Sequence, residues 1–282
     1  MSLRFTEEYP EINGAFSFEV TKVLFNEKSS FQKIMIVDTT HLGKVLLIDD
    51  LVMITERDEF VYHEMIAHVP LYVHPQPQQV LVIGGGDGGT VRECIRHPSV
   101  QSVDLVEIDE LVTRACIQHI PSVAGKILSE KVNCHFRDGV QFVKETSQKY
   151  DVIIIDSTDP ISVGEGLFTR EFYQNCFNIL REDGILVNQA ESPAYLADLV
   201  RGIAAKLKAI FPKVFFYQAH IPTYPSGHWL FGFASKKYHP LKDFQEKRYH
   251  ADHMQFKYYN SDLHFGSFAL PTYVRELIDE AS

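Results

Sequence analysis

Val80-Leu-Val-Ile-Gly-Gly-Gly-Asp-Gly-Gly89 decides how this chain folds. Four apolar residues run straight into a glycine turn and then into a helical pattern at Thr90 to Arg96, which reads as a buried strand turning sharply into a helix. The same grammar recurs downstream. Ser102-Val-Asp-Leu-Val106, Val132-Asn-Cys-His-Phe136, Val152-Ile-Ile-Ile155 and Gly184-Ile-Leu-Val187 are further strand cores, with helical stretches at Glu110 to His119, Gly139 to Thr146, Arg170 to Leu180 and Pro193 to Phe211. Buried strands alternating with helices predict an α/β fold, a Rossmann-like parallel sheet with helices on both faces. A last strand pair is expected at Lys213 to Ala219 and Trp229 to Ala234, and a closing helix at Pro271 to Glu280.

Upstream the period changes. From Ala15 to Thr55 apolar and polar residues alternate, as in Phe31-Gln-Lys-Ile-Met-Ile-Val-Asp38 and Val45-Leu-Leu-Ile-Asp49, with turn residues at Gly43 and Asp49-Asp50. This predicts a small antiparallel sheet. Arg57 to His74 then places Phe60, His63, Ile66 and Ala67 at helical spacing, so a helix joins the sheet to the parallel region. The expected division is an N-terminal β domain over residues 1–56 and a Rossmann-like catalytic domain over 57–282.

Composition bounds the function. The chain has 282 residues, 45% hydrophobic and 23% charged, with a formal net charge of −10. That is enough apolar sequence for a full core and too acidic a balance for a nucleic-acid partner. The N-terminus lacks a signal-peptide pattern and no apolar run approaches the roughly 20 residues of a membrane helix, so a cytoplasmic protein with no membrane association is expected. Cys94, Cys116, Cys134 and Cys176 are widely spaced, which suggests neither a zinc site nor a disulfide framework; they are expected to be buried free thiols.

The chemistry concentrates where the strands end. In an open parallel sheet, ligands bind at the carboxyl ends of the strands, where strand order reverses. Four successive strands here are followed by a carboxylate, namely Asp87, Glu107, Asp138 and Asp156. One such acid ordinarily caps the next helix; four in succession suit a cationic or hydroxyl-rich ligand. The glycines at 84, 86 and 89 have dinucleotide-binding spacing, but a pyrophosphate on this turn would meet Asp87, and like charges about 4 Å apart cost on the order of 4 kcal/mol at a dielectric near 20. A sulfonium nucleoside has no phosphate to repel. Glu107 is placed to accept ribose hydroxyl protons, and Asp138 with Gly139 to meet an adenine edge. Asp87, Asp156 and Asp159 would hold the ammonium groups of a polyamine, with Asp156 as general base. Ile161 to Phe168, containing Gly164 and Gly166, is long enough to serve as a lid. Pro222 and Pro225 stiffen the loop that carries Tyr224, and Trp229 is expected in the core. His63 and His68 stand five apart rather than four, which puts them on different helix faces, so no metal is expected.

Together these stretches resemble the spermidine synthase family of aminopropyltransferases, in its bacterial form. The resemblance rests on Ser30-Phe-Gln32, Thr55-Glu-Arg-Asp-Glu-Phe-Val-Tyr-His-Glu64, the Gly84 to Gly89 turn, Val106-Glu-Ile-Asp109, Asp138-Gly139, Asp156 to Pro160, Leu167-Phe168 and Pro222-Thr-Tyr-Pro-Ser-Gly227. It implies an N-terminal β domain followed by a methyltransferase-type Rossmann domain. It implies transfer of the aminopropyl group of decarboxylated S-adenosylmethionine, a co-substrate and not a cofactor, to putrescine. By position, Gln32, Glu107, Asp138 and Gly139 would bind the nucleoside. Tyr62, His63, Asp87, Asp156, Asp159 and Tyr224 would surround the aminopropyl group and the amine, with Asp156 as proton acceptor. A homodimer or homotetramer is implied as well. The chain departs from the family pattern at Val163, where many bacterial members carry proline, and at Asp50, where glycine or asparagine is usual. Other readings of the same residues are an aminopropyltransferase acting on cadaverine or spermidine, a putrescine N-methyltransferase using S-adenosylmethionine, and a non-catalytic nucleoside or polyamine sensor.

Overall fold

The computed structural model describes residues 3–158 and 162–281; Asp159, and Ile161 at the start of the expected lid, lie outside the described residues, as does the side chain of Val163. Strands β1 (Leu3–Tyr9), β2 (Gly14–Lys28), β3 (Lys33–Thr39), β4 (Lys44–Ile48) and β5 (Leu51–Thr55) form an antiparallel sheet in sequential order. Helix α1 (Glu59–Val73) leads into a seven-stranded sheet built from β6 (Gln79–Gly84), β7 (Ser102–Glu107), β8 (Val132–Phe136), β9 (Tyr150–Asp156), β10 (Leu180–Gln189), β11 (Lys213–His220) and β12 (His228–Ser235). Between and after these strands run α2 (Gly89–Ile95), α3 (Glu110–His119), α4 (Pro121–Ala124), α5 (Gly139–Glu145), α6 (Arg170–Ile179), α7 (Ala197–Lys208), α8 (Glu246–Ala251), α9 (Ser261–Gly266) and α10 (Thr272–Asp279).

Sheet order is β11-β12-β10-β9-β6-β7-β8. Strands β6 to β10 pair in parallel; β12 runs against them, and β11, antiparallel to β12, runs in their direction again. The chain moves one way from β6 through β7 to β8, then returns to the other side of β6 with β9. The reversal therefore lies between β6 and β9, where Gly84 pairs with Asp156. Side chains alternate across the sheet: Val80 and Val82 enter the core shared with α1, while Leu81 and Ile83 enter the one shared with α6 and α7. The expected α/β architecture, with helices on both faces, is what the molecule has. Helix α1 is buried at every position from Val61 to Val73, packed on β9, β10 and β11 and covered by α2, α8 and the segment from Phe244 to Tyr259.

Several details differ from the sequence reading. Strand β1 lies ahead of Ala15, where no strand was expected; Glu7 interrupts the apolar face of Leu3, Phe5 and Tyr9 and is its only buried residue. Helix α7 starts at Ala197 rather than Pro193; Glu191 has a left-handed φ of 69° and Leu196 N–H bonds back to Ser192, so the preceding residues turn instead of coiling. Helices α8 and α9 were not anticipated. Cys134 is exposed, unlike the other three cysteines, because β8 is an edge strand. Asp49 and Asp50, at φ 49° and 65°, make a two-residue hairpin turn without glycine. Lys33 secures it, its N–H donating to Asp49 at 2.8 Å and its ammonium to Asp50 at 2.7 Å. No helix of the described residues is long and apolar enough to cross a membrane.

Candidate active site

A cavity of about 520 Å³ opens at the strand reversal, between the carboxyl ends of β6, β7 and β9 and the N-terminal sheet, within the size range of small-molecule sites. Gln32, Tyr62, His63, Asp87, Glu107, Asp138, Gly139, Asp156 and Tyr224 all line it. The fold therefore gathers the expected site residues that it describes.

Asp156 ends β9 and is 8% exposed. Its Oδ1 accepts the Tyr62 hydroxyl and its Oδ2 the Thr90 hydroxyl, both at 2.7 Å. Burial raises its pKa and the neighbouring charge of Asp87 raises it further, against opposition from His63 and the two hydroxyls. This is the environment of a proton acceptor, a carboxylate that gains from taking a proton. The approach of β9 to β6 depends on Gly84. Its φ is +78°, and a Cβ there would stand 2.1 Å from the Asp156 carbonyl oxygen.

Asp87 sits in the turn before α2. Its Oδ1 accepts Gly89 N–H at 2.8 Å and faces His63 Nε2 at 3.3 Å, so Oδ2 stays available to a ligand. Burial favours the neutral acid, but the imidazolium of His63 outweighs it and the Asp87 pKa is lowered. Burial would likewise strip the proton from His63; Asp87 and Glu59 prevail and bring its pKa to about 10. The ring lies against the Gly89 backbone so closely that a Cβ there would be 2.1 Å from its Cε1.

Glu107 ends β7, where its Oε1 accepts the Asp109 N–H at 2.9 Å. Burial pushes its pKa up to about 7, despite backbone donation from Asp109 and Gly86. Asp138 caps α5, accepting Val140 N–H at 2.7 Å, and lines the cavity as well. Its capping and its place in the site coexist. Gln32 reaches across from the N-terminal sheet, its amide donating to Asp109 at 3.1 Å beside Ser29, whose hydroxyl donates at 2.6 Å. Thr223 ties the Pro222 to Gly227 loop to Asp58 at 2.8 Å, and the Tyr224 hydroxyl donates to the Met53 carbonyl at 2.7 Å. Tyr224 thus presents its ring to the cavity, with its hydroxyl proton already committed. Trp229, expected in the core, is buried and also forms cavity wall, edge-on to Tyr224 at 4.7 Å.

Thr90, Glu59, Arg92, Gln189 and Glu191 were not singled out from the sequence. Thr90, directly after the glycine turn, and Glu59, inside the Thr55 to Glu64 stretch, stood beside recognisable signals. Of possible metal ligands, His63, Asp87 and Asp156 present donor atoms within 4.8 Å of one another. Both His63 nitrogens face carboxylates, at 2.6 and 3.3 Å, and an imidazolium so held has no lone pair for a metal. His68 points elsewhere, to His97 and Glu93.

Charge is the dominant property of the cavity. Among its described lining residues are the carboxylates of Glu7, Glu8, Glu11, Asp87, Glu107, Asp138, Asp156 and Glu191, one histidine, and neither lysine nor arginine. Such a lining attracts cations and repels phosphate.

Residues 59–246 match the family model described as spermine/spermidine synthase domain, and residues 4–56 match the spermidine synthase tetramerisation domain. The chain is 50% identical over 281 residues to a polyamine aminopropyltransferase of Clostridium beijerinckii, covering 99% of each, and 52% identical over 283 residues to one of Clostridioides difficile, covering 99% of this chain and 100% of the relative. Among solved structures, a spermidine synthase in complex with the transition-state analogue AdoDATO superposes with a TM-score of 0.96 at 38% identity, over 99% of this chain and 95% of the other. The spermidine synthase of Thermotoga maritima superposes with a TM-score of 0.93 at 37% identity, over 98% of this chain and 94% of the other.

Proposed function

The chain belongs to the spermine/spermidine synthase family and is a polyamine aminopropyltransferase, and on that footing we propose that it moves the aminopropyl group of decarboxylated S-adenosylmethionine onto putrescine, giving spermidine and methylthioadenosine. The observation that carries this reading is the cavity lined with carboxylates and free of lysine and arginine among its described residues. Gln32, Glu107, Asp138 and Gly139 hold the nucleoside. Asp87 faces the ammonium of the donor's aminopropyl arm through Oδ2. An ordinary methionine donor would bring a carboxylate to that position, at a cost on the order of 4 kcal/mol for like charges about 4 Å apart.

The acceptor must be a free amine, because an ammonium with a pKa near 10 has no lone pair. The amine nitrogen attacks the propyl carbon next to sulfur as the carbon–sulfur bond breaks. Its electron pair stays on sulfur, and a neutral thioether leaves without needing an acid. The proton lost by the nitrogen passes to Asp156, whose carboxylate is aimed by Tyr62 and Thr90. His63, Tyr62 and the ring of Tyr224 wall the amine channel, with Asp159 as a further ammonium partner. The rest of the barrier falls through proximity and in-line orientation. In this reading residues 57–282 are the catalytic domain, and residues 1–56 close the cavity and join copies of the chain into a homodimer or homotetramer.

The test is to offer decarboxylated S-adenosylmethionine or S-adenosylmethionine with putrescine, cadaverine or spermidine, and to weigh the products. Aminopropyl addition to putrescine is expected. Methyl addition overturns the donor, and preference for another amine overturns the acceptor. In the same assay Asp156→Asn should lose about a thousandfold or more in turnover, while methylthioadenosine binding stays within about tenfold, since a base is removed and not a nucleoside contact.

A further inference from the structure

We propose that Glu59 and Arg92 are positioning residues for the transfer, an ion pair behind the cavity wall that locks the ring and charge of His63 against Asp87, so that Asp87 and Asp156 stand ionised side by side. The proposal rests on the aminopropyl-transfer reading above.

The side chains form a line of alternating charge leading out from the cavity. His63 is 1% exposed, with Nδ1 at 2.6 Å from Glu59 and Nε2 at 3.3 Å from Asp87. Glu59, four residues earlier on α1, receives Arg92 through both oxygens, Nη1 to Oε1 at 3.1 Å and Nη2 to Oε2 at 2.8 Å. Arg92 comes from α2, one turn beyond Gly89, and is itself held by Glu93 at 2.8 Å and the Ser122 carbonyl at 3.2 Å. A bidentate guanidinium fixes both oxygens of Glu59 in place, while Nε2 of His63 meets Asp87 as an ion contact at 3.3 Å without hydrogen-bond geometry.

A buried imidazolium inside a pocket that attracts cations needs a reason. Two carboxylates sharing one pocket ordinarily share one proton. Asp87 and Asp156 would do so, since Asp87 is one cause of the raised Asp156 pKa. A protonated Asp156 cannot accept the proton of the attacking amine. An imidazolium within 4.8 Å of both carboxylates offsets one negative charge and leaves the other free to act. The groups that face His63 are Glu59 and Tyr62 from α1, Asp87 from the β6–α2 turn and Asp156 from β9, with Arg92 of α2 acting through Glu59. Take away the charge of Glu59 and His63 is left beside Arg92 with Asp87 and Asp156, without the counter-ion at 2.6 Å that is its shortest ion contact.

The experiment combines ¹⁵N NMR of the histidine rings with pH profiles of kcat/KM for the amine. In the wild type, the His63 ring should show the imidazolium signature at pH 7 and keep it well above neutrality. In Glu59→Gln the ring should become neutral at a pH at least one unit lower. The acidic limb of kcat/KM should move up by about one unit, so that activity on that limb falls about tenfold at a given pH and returns as pH rises. Methylthioadenosine affinity should change less than about threefold. Arg92→Met removes a cation and leaves Glu59 charged, so the His63 ring should keep its proton to at least the wild-type pH, while loss of that positive charge near Asp87 still moves the acidic limb up; Arg92→Lys should restore most of the wild-type profile. A neutral His63 ring in the wild type at pH 7 overturns the proposal whatever the variants do. A Glu59→Gln protein that binds methylthioadenosine normally and keeps the wild-type acidic limb overturns it as well. The ring titration is read on the free enzyme, so failure of the relay is distinguishable from failure of the substrate assignment, which the wild-type product panel decides.

Discussion

Glu107 shows how burial tunes a carboxyl that lines the cavity. Its pKa of about 7, against an ordinary 4.5, means the empty site holds this acid half protonated at neutral pH. A carboxyl whose folded pKa is raised stabilises the fold below its unfolded value, and that contribution is lost as pH rises through about 7. Ribose hydroxyls, by contrast, need the ionised form as acceptor. Methylthioadenosine should therefore bind with little pH dependence above pH 7 and weaken about tenfold per unit below it, releasing up to about one proton at pH 6. Calorimetry in two buffers of different ionisation enthalpy reads that proton directly. Affinity that is flat from pH 6 to 8 would remove Glu107 from the nucleoside contact. Asp138 behaves differently. It caps α5 and lines the cavity, so replacing it would weaken helix and ligand together.

Among the elements, the turn from β6 into α2 carries most of the design. Its glycines are spaces for other side chains: Gly84 admits the backbone of Asp156, and Gly89 admits the ring of His63. Gly89→Ala sets a methyl 2.1 Å from that ring, which cannot retreat between Glu59 and Asp87. The expected cost is about 1–3 kcal/mol of stability with a large loss of activity. Gly202, inside α7, has nothing within 4 Å of its missing Cβ, so Gly202→Ala should stabilise by about 0.5–1 kcal/mol and leave activity intact. Denaturant unfolding of the pair should give shifts of opposite sign, and a neutral Gly89→Ala would show that the ring has room to move.

At the scale of the molecule, the N-terminal sheet closes the cavity and is also its most apolar exposed region. Leu3, Ile12, Val23 and Phe31 are 56%, 45%, 42% and 42% exposed, half of the large apolar side chains so exposed among the described residues. Patches of this kind mark interaction surfaces, in keeping with assembly of the chain through residues 1–56. Sedimentation should find a dimer or tetramer, and Val23→Glu combined with Phe31→Glu should shift it to smaller species. A monomeric wild type would contradict the assembly. The two sheets meet beside the cavity, through Gln32 and Ser29 on Asp109 and through Tyr224 on Met53, so on the proposed function loosening the assembly should also weaken substrate binding.

Local pattern determined a great deal here. Runs of buried strand, the glycine turn and the acids after each strand are properties of a few consecutive residues, and they sufficed to read the parallel sheet and to nominate Asp87, Glu107, Asp138 and Asp156. Strand β1 escaped because Glu7 breaks the apolar face of Leu3, Phe5 and Tyr9, and α7 began late because a left-handed Glu191 is invisible in periodicity. What tertiary structure alone decided are the meetings of distant side chains. Tyr62 bonds Asp156 across 94 positions of sequence, Arg92 grips Glu59 across 33, and Trp229 turns from core filler into cavity wall. Sequence spacing encodes which way a side chain faces on its own element. Which charges then neutralise one another, and so which carboxylate is left to take a proton, depends on distances that exist only once the sheets and helices have packed.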